Sequence, residues 1–281
     1  MSKKAVLVVS FGTIDIEVLK KSIESAENSF KVAFPEYDVH RAFTSQEVIK
    51  KLAEHSDLQV DGVGEALKKL AAAGYTEVHI QPLSIVSDKT YTHSKEYITS
   101  LIRSKEKEFK KMTVGRPLLL SLGLKGHPDD YHIAIEAMKT QLPELGSENA
   151  VVFMCNGSNQ LEYATLQLKL ADAGIKNAFV YTAEGYPTFE GVLRQLKEIK
   201  AREVVLIPFV LASSEHLLKY LAGDNVDSAK SRLEAAGYKV SVCRTGLGEN
   251  PAIQAIYVQH LKDALLALEM RHGQRKGPAH A

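Results

Sequence analysis

Apolar runs of strand length alternate along this chain with longer stretches in which apolar residues recur every three or four positions. The strand-length runs are Ala5–Ser10, Tyr37–Phe43, Glu77–Ile85 and Thr113–Leu122, then Ala150–Cys155, Asn177–Thr182, Glu203–Ala212 and Tyr238–Arg244. Rich in Val, Ile and Leu, they mostly lack strict alternation, as strands buried on both faces of a parallel sheet do. The stretches between them read as amphipathic helices. VGEALKKLAAA (63–73) is one, with Gly74 as its stop. Strands alternating with helices predict an α/β protein with helices on both faces of parallel sheets.

The first four strands and the last four echo each other. VLVVSFGT (6–13) parallels VVFMCNGS (151–158), and EVHIQPLSI (77–85) parallels EVVLIPFVL (203–211), with Pro82 matching Pro208. The simplest reading is two similar lobes, each a roughly four-stranded parallel sheet flanked by helices, with a cleft between them. Generic α/β units can also share such spacing without duplication. Residues 1–126 form the first lobe in this reading and 127–250 the second, with the boundary in Leu124-Lys125-Gly126-His127-Pro128. A last helix, Ala252–Met270 within 251–270, is expected to pack back on the first lobe. RHGQRKGPAHA (271–281) lacks apolar periodicity and reads as a frayed, flexible tail.

Composition narrows the classes of function. A hydrophobic fraction of 45% is ordinary for a globular protein, and no apolar run approaches the ~20 residues of a membrane helix. The start, MSKKAVLVVSFGT, has basic residues before an apolar run. Gly12 interrupts that run and no small-residue cleavage pattern follows, so it reads as a first strand rather than a leader. A cytoplasmic protein without a membrane partner is expected. The formal charge of +1 carries no basic stripe for nucleic acid. Cys155 and Cys243 stand far apart with no CxxC, which indicates neither a disulfide framework nor a cysteine zinc site.

Ligands of open α/β sheets bind beyond the carboxyl ends of the strands. That rule selects the loops Ser10–Thr13, Ser84–Tyr91, Cys155–Ser158, Thr182–Pro187 and Ala212–His216. Asn159 and Glu162 have capping-box spacing, so a helix should start near Gln160, leaving Cys155–Ser158 as a tight turn with Gly157 supplying freedom in φ. Asn156 either orients a ligand through a neutral amide, which cannot act as a base, or serves the turn alone. Cys155 is either a reactive thiol at a helix N-terminus or a small buried hydrophobe; Cys243, inside a strand, is expected in the core.

In Ser213-Ser214-Glu215-His216, either serine can cap a short helix over Glu215–Leu221 and place His216 in its first turn. The positive end of the helix dipole disfavours imidazolium, leaving the neutral ring that a general base or a metal ligand requires. The plainer alternative is a surface histidine beside a cap. Glu184 in TAEGYP either helps hold a cation or accept a proton, or is a solvated carboxylate. His127-Pro128-Asp129-Asp130-Tyr131-His132 looks like a metal box, yet Pro at the first helical position followed by two acids is an ordinary helix start.

Taken together, several segments point to a family. LVVSFGT (7–13), RAFTS (41–45), IQPLSI (80–85), VVFM (151–154), EGYP (184–187), PFVLASSEH (208–216), AGDNVDS (222–228) and GLGENPAI (246–253) resemble the anaerobic cobalt chelatases, or sirohydrochlorin cobaltochelatases. These enzymes of cobalamin-type biosynthesis insert a metal into a tetrapyrrole. The resemblance implies two lobes with the site between them, cobalt as the first metal with iron or nickel as alternatives, and a polycarboxylate macrocycle as partner. It implies no organic cofactor and leaves a homo-oligomer open.

The resemblance also implies a metal site with a histidine from each of two second-lobe loops and an acid from a first-lobe loop. His216 matches one histidine. Asn156 stands where the family has the other, and Thr90, in SDKTYTHS, stands at or next to the acid's place. His93 or Glu184 then become stand-in ligands, with Cys155 and Gly157 beside the macrocycle. Donors for its carboxylates would be Ser10, Phe11, Gly12 and Thr13 through their backbone N–H groups, with Ser84 and Lys89. The alternative function is a tetrapyrrole or metallo-tetrapyrrole carrier on the same fold, without insertion.

Overall fold

The structure, a computed structural model, describes residues 3–87, 91–92, 95–97, 99–100, 109–143, 146, 148–157, 161–223 and 225–274. Of His216 and of residues 271–274 only the backbone is described. The chain forms two compact units. One comprises Met1–Ile14, Ile23–Leu118 and Gln254–Ala281, the other Asp15–Ser22 and Leu119–Ile253.

Strands β1 (Lys3–Ser10), β2 (Asp38–Phe43), β3 (Tyr75–Pro82) and β4 (Lys111–Val114) pair in parallel in the order β2-β1-β3-β4. Strands β5 (Asn149–Cys155), β6 (Ala178–Thr182), β7 (Glu203–Phe209) and β8 (Lys239–Val242) repeat that order as β6-β5-β7-β8. The expected pair of four-stranded parallel sheets is therefore present. Between the strands run α1 (Ile16–Val18), continued by a π-helical turn over Leu19–Glu24 into α2 (Ser25–Ala33), then α3 (Gln46–His55) and α4 (Val63–Ala72). The remaining helices are α5 (Asp130–Met138), α6 (Leu161–Asp172), α7 (Phe189–Glu198), α8 (Glu215–Ala222), α9 (Ala229–Ala235) and α10 (Pro251–Gln274).

On one face of the first sheet, Ala5, Leu7, Val9, Val78 and Ile80 pack against Ala66, Leu67 and Leu70 of α4, with Val63 at its edge. Positions 63, 66, 67 and 70 form the stripe that makes this segment helical and holds it to the sheet. Gly74 ends the helix with φ +81°. The opposite face is unusually polar. Glu77, His79 and Gln81 alternate along β3 and are all buried. On β2, Arg41 is held by Glu27 of α2 through two hydrogen bonds of 2.6 and 2.5 Å. Helices α2 and α10 close this face, joined by Ser29–Gln254 and Gln254–Ser25 hydrogen bonds of 2.7 and 2.8 Å. In the second sheet, Val152, Met154, Tyr181, Val204 and Leu206 pack with Phe189, Val192 and Leu196 of α7 and Leu233 of α9.

Several boundaries differ from the sequence reading. The fourth strand covers Lys111–Val114 rather than Thr113–Leu122, since Pro117 has no N–H for a ladder. Leu118 and Leu119 bury their side chains in irregular chain instead. The apolar runs at 77–85 and 203–212 likewise leave their strands at Pro82 and Phe209, and their last residues form loops. Asp129 is the N-cap of α5, its Oδ1 accepting the His132 N–H at 3.1 Å, so Pro128 lies before the cap and not at the first helical position. Cys243 sits just beyond β8 and is only half-buried. Helix α10 continues past Met270 to Gln274, into the stretch read as tail. Among the described residues, no helix is long and apolar enough to cross a membrane.

Candidate active site

In the first unit the candidate residues gather where β1 and β3 end. Ser10 closes β1 and is buried, as are Thr13 and Ser84. The chain leaves the sheet held by backbone hydrogen bonds from Thr44 to Ser10 at 2.9 Å and from Leu83 to Val9 at 2.7 Å. Gly12, at φ +94°, lies so close to the Phe43 ring that a Cβ there would meet it at 2.6 Å. This turn leaves Phe11 64% exposed, an aromatic ring offered to solvent at a strand's carboxyl end. Gly12→Ala is expected to lose about 2 kcal/mol or more, from the left-handed backbone and the overpacked ring together. Urea denaturation checks it: the midpoint should fall at unchanged slope, and an unmoved midpoint refutes the tight fit.

Lys89, Thr90 and His93 lie outside the described residues. Close to them in sequence, a hollow of about 720 Å³ is lined by Ser87, Tyr91, Thr92, Lys95 and Thr99 among others.

In the second unit Cys155 ends β5 fully buried, and burial pushes its thiol well above the ordinary range. The reactive-thiol reading is thereby corrected: Cys155 is a packed hydrophobe, since nothing positive offsets its burial. Asn156 and Gly157 follow it into solvent, Gly157 with φ +109°. The next loop is tied by Thr182, whose N–H and hydroxyl both donate to the Pro187 carbonyl, at 2.8 and 3.3 Å. Gly185 turns it with φ +121°, the Tyr186–Pro187 bond is cis, and Glu184 is exposed.

The loop after β7 leads into α8, capped by Ser214, whose Oγ accepts the Leu217 N–H at 3.4 Å. Residue 216 is thus in the first turn, as expected, with its side chain outside what is described. Ser213 does not cap. It is buried, and its Oγ has no hydrogen-bond partner among the described residues, a condition shared by Ser10 and Ser84.

Sequence reasoning offered Ser213 as an alternative cap, and it missed what fixes this loop. Leu247 and Gly248 donate backbone N–H groups to the carbonyls of Val210 and Leu211 at 2.8 and 2.9 Å. A Cβ on Gly246 would stand 2.6 Å from the Leu211 oxygen, and one on Gly248 2.9 Å from it. The Gly-Leu-Gly spacing in GLGENP was the available signal: only residues without a Cβ can clasp the loop that carries His216. Among the described residues, no three His, Cys, Asp or Glu side chains come together as a metal site.

Comparison with known proteins places this geometry in context. Residues 4–266 match the family model described as cobalt chelatase (CbiK). The chain is 36% identical over 265 residues to the sirohydrochlorin cobaltochelatase of Salmonella typhimurium, covering 94% of this chain and 97% of that protein. It is 28% identical over 272 residues to sirohydrochlorin cobaltochelatase CbiKC of Nitratidesulfovibrio vulgaris, covering 96% and 93%. Among solved structures it resembles CbiX, described as the terminal enzyme for biosynthesis of siroheme in denitrifying bacteria. That match has a TM-score of 0.52 at 18% identity, over 93% of this chain and 99% of that one, and shows a shared fold.

Proposed function

The chain belongs to the cobalt chelatase (CbiK) family, and from that premise we propose that it inserts a divalent metal, cobalt first, into sirohydrochlorin. The observation that supports this most is the loop Ser213–His216, capped by Ser214 and clasped by Gly246 and Gly248. The positive end of a capped helix disfavours imidazolium in its first turn, and a neutral imidazole can both bind cobalt and take a proton. Iron and nickel suit the same donor.

Insertion exchanges one divalent cation for two pyrrole protons. At 156 the chain offers an amide, which can hydrogen-bond the macrocycle but cannot accept a proton. At 90 it offers a hydroxyl in place of an acid. His216 therefore carries the metal and proton work at these positions, with exposed Glu184 as a supporting carboxylate. The peripheral carboxylates of the macrocycle take hydrogen bonds from backbone N–H groups in Ser10–Thr13. Under the same reading the reaction is cytoplasmic and uses no organic cofactor.

An anaerobic absorbance assay of sirohydrochlorin with Co²⁺, beside Fe²⁺ and Ni²⁺, tests this. Wild type should insert cobalt faster than the uncatalysed reaction, and Asn156→His should raise the rate by about tenfold or more through a second base. A wild type that only shifts the spectrum of the free macrocycle, with none of the three metals inserted, would sink the enzyme and leave a tetrapyrrole carrier.

A further inference from the structure

Four buried side-chain atoms of the first unit have no hydrogen-bond partner among the described residues: Ser10 Oγ, Ser84 Oγ, Gln81 Oε1 and His79 Nδ1. They fall in a row. His79 and Gln81 are alternate residues of β3, paired in register with Val6 and Val8 of β1, which puts Ser10 on that same face of the sheet. Ser84 lies just past the end of β3. Helix α10 runs along the row. Its Tyr257 donates to the Ser84 carbonyl at 3.1 Å, and His260 Nδ1 lies 3.2 Å from the Arg116 carbonyl. Asp263 pairs with Arg116 at 2.6 Å.

The chemistry of these atoms is restricted. Gln81 spends its amide nitrogen on the carbonyls of Pro82 and Arg116, at 2.9 and 3.0 Å, so Oε1 remains as an acceptor. His79 Nε2 lies 3.0 Å from Glu77 Oε1, which also accepts from the Tyr37 hydroxyl at 2.8 Å. Burial alone would raise the Glu77 pKa, but the hydrogen bonds from His79 and Tyr37 and the nearby Lys111 hold it below the usual carboxylate range. An ionised carboxylate only accepts, so His79 Nε2 carries the proton and Nδ1 presents its lone pair. Burial keeps the imidazole below its ordinary pKa, against the pull of Glu77. Buried acceptors left without donors cost about 1–3 kcal/mol each, and water is the donor that commonly serves them.

We infer that this seam is a hydrated proton route, running from the hydroxyls at the carboxyl ends of β1 and β3, past Gln81, to a His79–Glu77 relay toward the other end of the same face. The inference rests on the chelatase reading, because metal insertion releases two protons that must leave the site. A proton arriving at His79 Nδ1 displaces the Nε2 proton onto Glu77, and Glu77 passes it to solvent beside Lys111, whose side chain is 48% exposed. One proton enters at Nδ1 and one leaves from Nε2, which leaves the ring as the Nδ1–H tautomer, and a swing of the side chain that turns this N–H toward Glu77 readies it for the next proton. The other charged groups near the relay are Lys4, 5.1 Å over the Tyr37 ring, and Glu36 and Glu269, which act on Tyr37. His79 does not touch substrate in this scheme. It is a relay acting through the seam.

Two substitutions test the route in the full chain. His79→Gln keeps an amide N–H for Glu77 but cannot take up a proton, and Gln81→Leu interrupts the row without touching the relay. Each should lower kcat for cobalt insertion by about tenfold or more with KM for sirohydrochlorin unchanged. Each should also flatten the acid limb of the kcat–pH profile. Wild-type kcat and pH profile in either variant overturn the relay. Should His79→Gln fail to fold, Gln81→Leu decides alone, and the reverse holds too. No insertion by the wild type defeats the chelatase reading and the relay with it, whereas undiminished insertion in the variants defeats the relay alone.

Discussion

Replacing His216 with alanine should lower cobalt insertion into sirohydrochlorin by about 10²–10⁴-fold, the usual effect of deleting a group that moves protons in the rate-limiting step. Under the proposed chemistry the loss is large because Asn156 and Thr90 would stand where the resemblance implies a second histidine and an acid. An amide cannot take over the base, and the thiol next to it, Cys155, is buried and protonated. The substitution should barely touch the fold. Ser214 keeps capping α8, and the clasp of Gly246 and Gly248 holds backbone, not the side chain at 216. Initial rates in the anaerobic assay, paired with thermal melts, separate the two effects. A variant that melts like wild type and inserts cobalt within twofold of its rate would show that the chemistry lies elsewhere.

Glu27→Ala should destabilise the protein by about 3 kcal/mol, the lower end for breaking a buried ion pair, because Arg41 keeps some access to water. The Glu27 side chain is 6% exposed and that of Arg41 18%. Without Glu27, the guanidinium has Glu24 at 4.0 Å as its remaining carboxylate. Removing both charges should hurt less: Glu27→Met with Arg41→Met trades the pair for apolar packing and is expected near neutral. Urea melts of the two singles and the double complete the cycle. A single variant that loses under 1 kcal/mol would mean the pair is solvated in practice.

The alternation of strands and helices was legible because each central strand is a continuous apolar run, and α4 was legible from its 63, 66, 67, 70 stripe. Strand ends were not, since Leu118, Ile85 and Val210 are apolar for reasons of loop packing. The polar seam was the least readable part. Glu-Val-His-Ile-Gln over 77–81 alternates like a strand with one wet face. In the structure that face is buried, covered by a helix that begins at 251, and local periodicity carries no record of a cover so distant in sequence. At the site, a serine cap ahead of His216 could be foreseen. Which serine caps and which is buried depends on the Gly246 clasp and could not.

Helix α10 closes the polar face of the first sheet although the whole second unit is translated before it. During synthesis, β1 to β4 must leave the ribosome with Glu77, His79 and Gln81 uncovered, and wait for α10. The second unit, nearly contiguous in sequence, can complete its core earlier. Vectorial folding then runs against sequence order, with the amino-terminal sheet finished last. A chain that stopped just ahead of α10 would keep the core of its second unit and lose the cover of its first sheet.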